Sequence, residues 1–240
     1  MEHPQRPERI TMKTIGYGLL DIFNLERGLI HTIIALTIQP GKALRTYLSE
    51  DRTRLVPPFR FLLFAVAVAA FITVQYMKSS EFLAEMRAGF EYGYRAGSEN
   101  GELDTEKMET FLLFLNEIFA NYFNIALLIG VPIVALCTFW ILRKGHNYAE
   151  HLLINCYVTG YQNIIYIVMT PLLFFMKFTT LSYIYIVFVL IYGIYAYVRI
   201  FQERFVIGTF KALLANLLYF VLYYILLIAV VFIAGIYMLK

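Results

Sequence analysis

Asn147-Tyr148-Ala149-Glu150-His151-Leu152 carries the densest chemistry in this 240-residue chain. It follows Arg143, Lys144, Gly145 and His146 and opens a long apolar run. A carboxylate beside an imidazole suits acid–base work or a divalent metal. Adjacent helical residues, however, point about 100° apart, and the order differs from H-E-x-x-H, which puts two imidazoles on one face. His31 and Asp51 would have to join Glu150 and His151. The expectation is therefore a polar cluster of His31, Asp51, Glu150 and His151 with Glu150 pairing Arg52 or Arg60, and no catalytic residue, metal or cofactor is assigned. A second group is the cationic row Arg45, Arg52, Arg54 and Arg60. Guanidinium groups match phosphate bidentately, and beside a membrane the nearest phosphates are lipid headgroups. A third is Asn155, Thr159 and Gln162, at i, i+4 and i+7 on one helical face, with Asn163 beside them. In lipid such groups bond across to other helices or line a solute path.

These residues sit in an unusually apolar chain. Hydrophobic residues make up 60% and charged ones 15%, with 19 Tyr and 21 Phe, and the mean hydropathy is +0.66. That excludes a soluble enzyme domain, a disordered chain and a disulfide scaffold. The two cysteines, Cys137 and Cys156, lie inside apolar runs and form no C-x-x-C. A net charge of +3 argues for no nucleic-acid partner. Five stretches reach the roughly 20 residues a lipid-crossing helix needs: residues 61–77, 122–142, 152–176, 180–198 and 213–239. The fourth is rich in Tyr, Ile and Val but too long for an ordinary strand, so it reads as helix. Ala65-x-x-x-Ala69 and Ala126-x-x-x-Gly130 permit close helix approach, and Pro132 and Pro171 can kink the second and third spans. Glu117 is the only acid in or near a span interior, which argues against an ion-coupled transporter. No P-loop, Rossmann or G-x-S-x-G pattern occurs.

The loops orient the spans. Alternate sides carry fourteen and six Lys/Arg, with nine of them in residues 1–60. The positive-inside rule then puts the amino terminus in the cytoplasm and the carboxyl terminus outside. Residues 1–9 are polar, so the first span is expected to act as its own insertion signal. Residues 1–57 read as cytoplasmic interfacial helices and 58–240 as the bundle. Residues 10–26 are amphipathic, with Ile15, Leu19, Ile22 and Phe23 on one face. Gly28–Ile38 is apolar but too short to span, which fits an interfacial or re-entrant helix. Pro40 suits the first turn of the next helix. Residues 78–110 form an acidic outer loop, with a helix over 81–92 and a second helix, from Asp104, that continues into the second span.

Gly28-x-x-x-Thr32-x-x-x-Leu36-x-x-x-Pro40-Gly41-x-x-x-Arg45-x-Tyr47-Leu48, then Arg52 and Pro57-Pro58-Phe59-x-Phe61-Leu62, resembles the bacterial membrane family catalogued as domain of unknown function 3667. Residues 147–152 are similar to that family's second motif, and the resemblance covers roughly residues 15–175. It implies a bacterial inner membrane and no activity. Members often begin with a cysteine-rich zinc ribbon; no such run precedes the motif here, so its role does not carry over. In layout alone the chain is similar to Yip-type five-span proteins. The expectation is an all-α integral membrane protein with five transmembrane helices preceded by cytoplasmic interfacial amphipathic helices. The expected role is a non-enzymatic scaffold or accessory subunit that engages anionic membrane lipid and a partner membrane protein or a second copy. A small-solute permease or channel, and a membrane enzyme acting on a lipid headgroup through His151 and Glu150, are the alternatives.

Overall fold

The computed structural model describes residues 28–97 and 105–238. The amphipathic helix expected over residues 10–26 lies outside the described residues. Among the described residues the chain is all-helical: α1 Ile30–Ile38, α2 Pro40–Ser49, α3 Pro58–Met77, α4 Ser80–Gly97, α5 Thr105–Leu142, α6 Tyr148–Met169, α7 Phe178–Ile200 and α8 Phe205–Met238. Five of these (α3, α5, α6, α7 and α8) are long and apolar enough to cross a membrane.

The boundaries shift for local reasons. Pro57-Pro58 starts α3 with Pro58 in the first turn, where the missing N–H costs nothing. α5 runs unbroken for 38 residues, roughly 57 Å at about 1.5 Å per residue, so it projects well past its apolar part, residues 125–142. α6 starts at Tyr148, four residues before the expected span. Pro171 does not kink it. The α-helical ladder ends at Met169 and residues Thr170–Phe174 form a 3-10 turn. The physical reason is that Pro171 has no N–H for the Ile167 carbonyl, and the Thr170 hydroxyl donates to that carbonyl instead, at 2.7 Å. α8 begins at Phe205 rather than 213, because Lys211 near its start lowers the hydropathy without breaking the helix.

α3 and α6 run in the same direction and share the tightest seam. A Cβ on Gly160 would stand 2.7 Å from the Phe61 ring and 3.4 Å from Leu62 Cα, so glycine sets the approach. Ala65 and Ala69 are fully buried in α3, as their spacing suggests. α3 begins level with the third turn of α6, since the Tyr157 hydroxyl donates to the Val56 carbonyl at 2.7 Å.

The α1–α2 hairpin fills the space below that late start. We call this the collar end of the bundle. Leu36, Leu44 and Tyr47 join Phe61, Tyr157, Tyr197 and Ile200 in one buried core. The last carbonyls of α1, which lack partners in their own helix, are taken up by the bundle: Leu36 O accepts from the Tyr192 hydroxyl at 3.3 Å and Ile38 O from Tyr195 at 2.9 Å. A Cβ on Gly41 would collide with the Arg199 backbone and stand 2.8 Å from Arg199 Cβ, so α2 crosses the end of α7 in direct contact. At the distal end, Glu85 of α4 accepts from the backbone N–H groups of Phe178 and Thr179 at 3.3 and 3.2 Å, a carboxylate placed at the positive start of α7.

Candidate functional site: collar groove and buried polar network

α1, α2 and the turn after α2 enclose a groove of about 240 Å3, with His31, Ile34, Ile38, Lys42, Asp51 and Arg54 among its lining. Ile30, Ile34 and Ile38 form an exposed apolar stripe along α1. The four expected arginines do not converge. Arg45 reaches across to α7, where its guanidinium donates to the Arg199 carbonyl and, at 3.5 Å, to that of Ile200. A cation there caps the negative end of the helix. Arg54 lines the groove and pairs with Asp51 at 2.9 Å. Arg52 and Arg60 are exposed. Lys42, exposed on the groove, has no hydrogen bond or ion pair among the described residues. Asp51 also accepts from the Thr53 N–H at 2.8 Å and hydroxyl at 2.6 Å. These Thr53 bonds, more than Arg54, hold its carboxyl below the usual carboxylate range.

The expected cluster of His31, Asp51, Glu150 and His151 divides into two pairs. His31 and Asp51 belong to the groove. Glu150 belongs to the start of α6, where Asn147 and Glu150 form a reciprocal capping box: Glu150 N donates to Asn147 Oδ1 and Asn147 N to Glu150 Oε2, both at 2.9 Å. The same Oε2 lies 3.1 Å from His146 Nδ1. The expected pairing of Glu150 with Arg52 therefore gives way to local capping, because the carboxylate three residues into the helix is already within reach of the orphan N–H. Among the described residues no three His, Cys, Asp or Glu side chains gather to hold a metal.

His151 turns inward and is fully buried. It stacks on Phe201 at 4.9 Å between ring centroids, and its Nδ1 lies 3.2 Å from Thr138 Oγ1. The Thr138 hydroxyl donates to Ala135 O at 3.0 Å, and His151 Nε2 has no close hydrogen-bond partner among the described residues. Asn155 donates to Thr138 Oγ1 at 2.9 Å and to His151 O at 2.8 Å, and accepts from the Tyr197 hydroxyl at 2.7 Å. One buried network thus ties α5, α6 and α7. Asn155 is saturated by it, whereas Thr159 and Gln162 line a separate cavity together with Asn163, Asn216 and Tyr219. Asn216 was legible as the only amide in the apolar run of α8. Thr138 carried no signal.

The ends of α7 and α8 are clasped to the α5–α6 turn. Glu203 takes Lys211 at 2.7 Å and Lys144 at 3.3 Å. The hydrogen bond from Lys211, then that from Lys144, holds its carboxyl below the ordinary range. Lys144 reaches it from a left-handed backbone, φ 32°, beside Gly145 at φ 84°.

No curated protein and no solved structure matches this chain. Residues 26–70 match the family model described as protein of unknown function, DUF3667. That range holds α1, α2, the groove, all four arginines and the first part of α3, and it stops short of Asn147–Leu152. The motif from Gly28 to Leu62 is thus the part of this chain that resembles DUF3667.

Proposed function

We propose that this chain is a non-enzymatic scaffold or accessory subunit of the bacterial inner membrane, with its amino terminus cytoplasmic and its carboxyl terminus outside, and that its collar seats an anionic phospholipid. The carrying observation is the groove itself: apolar Ile34 and Ile38 line it together with cationic Lys42 and Arg54. An amphiphile with a negative head satisfies both. Each basic residue near an anionic leaflet contributes about 1 kcal/mol. The depth of α1 supports the reading. Its Thr37 hydroxyl lies 2.7 Å from that of Tyr161, 13 residues along α6 from Tyr148, or roughly 20 Å along that helix. A re-entrant α1 places the stripe of Ile30, Ile34 and Ile38 against acyl chains. The exposed row Leu217, Val221, Tyr224 and Ile228 of α8 is the surface assigned to a partner membrane protein or a second copy.

The test is lipid retention by the full chain extracted into polymer-bounded discs. Phosphatidylglycerol is expected to be enriched over phosphatidylethanolamine relative to the source membrane. Lys42→Gln with Arg54→Gln, the two cations that line the groove, should remove the enrichment, since two such charges are worth roughly 2 kcal/mol. Equal enrichment in the wild type and the double variant would defeat the proposal. A stoichiometric co-purifying protein would identify the partner, and its absence together with a single-copy mass would remove the scaffold half of the reading.

A further inference from the structure

A cavity of about 170 Å3 lies inside the bundle between α5, α6, α7 and α8. Its wall combines three amides, Gln162 and Asn163 from α6 and Asn216 from α8, with the hydroxyl-bearing Thr159, Tyr185, Tyr197 and Tyr219. The orientation of each amide follows from its bonds. Asn163 donates to Thr159 O at 2.9 Å, Asn216 to Ala212 O at 2.8 Å and Gln162 to Val189 O at 3.3 Å. Only the nitrogen end can serve a carbonyl, so all three amides keep their carbonyl oxygens free. None of these oxygens, nor the Tyr219 and Thr159 hydroxyls, has a partner among the described residues. Asn163 and Asn216 are 5% and 7% exposed and Gln162 is half-buried, and none of the three oxygens is sealed off without a partner, so each remains reachable by a small molecule.

Two glycines shape the cavity. A Cβ on Gly130 would stand 2.8 Å from the Tyr219 hydroxyl, and one on Gly193 would stand 3.6 Å from Gln162 Nε2 and 3.8 Å from Asn216 Nδ2. The Gln162 and Asn216 amides thus face one bare stretch of backbone. A wider cavity of about 410 Å3 abuts this one at Leu127, Asn163, Tyr185 and Ile186 and extends to Met77, Phe82 and Phe178 at the distal end. Neither cavity has a charged residue in its lining.

We propose that the inner cavity binds a small uncharged solute that supplies N–H or O–H donors, of the primary amide or polyol class. Three fixed carbonyl acceptors call for donors. The lack of a carboxylate leaves a bare cation without a counter-charge to offset its desolvation. The distal cavity is the way in. Toward the collar the path is closed by the saturated Tyr197–Asn155–Thr138 network, so the site is a binding pocket rather than an open pore. This inference stands apart from the lipid reading of the collar.

Saturation-transfer NMR on the full chain in membrane discs tests it with three probes of similar shape: acetamide, N,N-dimethylacetamide and acetate. Acetamide should show a signal above discs without protein. The dimethyl compound, which has no donor, and the charged acetate should bind about tenfold more weakly or worse, as expected for the loss of two hydrogen bonds. Asn216→Leu and Gln162→Leu should each reduce the acetamide signal severalfold. If these variants do not fold, the comparison of probes on the wild-type chain still decides. Equal signals for the three probes, or acetamide no stronger than in empty discs, overturns the proposal. Displacement of acetamide by sodium or potassium at constant ionic strength would also overturn it, by giving the oxygens to a cation.

Discussion

Replacing Tyr197 by Phe removes a single oxygen and leaves the ring, which is 2% exposed, in place. The lost hydroxyl is the donor to Asn155 Oδ1 at 2.7 Å. Asn155 cannot turn its amide to compensate, because its nitrogen is held by Thr138 Oγ1 and His151 O at 2.9 and 2.8 Å. The variant therefore leaves a fully buried carbonyl oxygen without a donor. In a soluble interior that costs about 1–3 kcal/mol. Hydrogen bonds between membrane helices average about 0.6 kcal/mol and reach about 1.7. A saturated network with two other bonds to the same side chain belongs at the upper end, so about 1.5 kcal/mol is expected, roughly a tenfold shift in the unfolding constant. Reversible unfolding of the full chain in mixed micelles measures it. The double-mutant cycle with Asn155→Ala isolates the pair, and a coupling of about 1 kcal/mol is expected. A Tyr197→Phe cost below about 0.3 kcal/mol, or additive single variants, would refute the claim that this bond is made and matters.

Glu203 gives a pH dependence. Its folded carboxyl titrates below the value of 4.5 ordinary for the group, so its contribution is complete above that value and is lost as pH falls through the lower, folded one. The melting temperature of wild type should drop over that acid window, and Glu203→Gln should flatten this part of the profile. A wild-type profile no steeper than that of the variant counts against the clasp. Glu150→Ala opens the capping box and should destabilise the start of α6 by about 1 kcal/mol. It should leave protease cleavage within residues 28–57 unchanged, and faster cleavage there would restore a direct link from Glu150 to the collar. Gly160→Val forces α3 off α6 and should cost about 1–3 kcal/mol. A neutral result in the same unfolding assay would mean that the seam closes elsewhere.

What was legible in the sequence follows the range of each interaction. Hydropathy over about 20 residues is a local sum, so the five long apolar helices could be read directly. Pro40 and Pro58 act within one turn, and they start α2 and α3 as their chemistry dictates. The N-x-x-E pattern at Asn147 and Glu150 is equally local, and it forms the capping box that its spacing allows. The span-three face was legible as polar but not in its division. Asn155 is saturated by Thr138 and Tyr197, from two other helices, whereas Gln162 lies about two turns further on beside Asn216 of α8. No periodicity in α6 alone distinguishes these fates, because they depend on what faces each turn.

The collar shows the same limit on a larger scale and explains why short helices stay put. A nine-residue helix such as α1 is marginal in isolation, and nothing in its own sequence says where it docks. The decisive fact is the late start of α3. Tyr157 donates to Val56 O just before Pro58, so α3 starts level with the third turn of α6. A bundle with that gap would expose Tyr157 and Tyr197 at its end. The hairpin fills it with Leu36, Leu44 and Tyr47, and the phenols of Tyr192 and Tyr195 cap the carbonyls of α1 in return. The Pro57-Pro58 start of α3, the Gly41 contact with Arg199 and the placement of Arg45 on the end of α7 are therefore parts of one arrangement. Gly41, Arg45, Pro57 and Pro58 fall within residues 26–70 while Arg199 and the end of α7 lie outside it, so that stretch carries the docking hairpin together with the start of the helix that makes room for it.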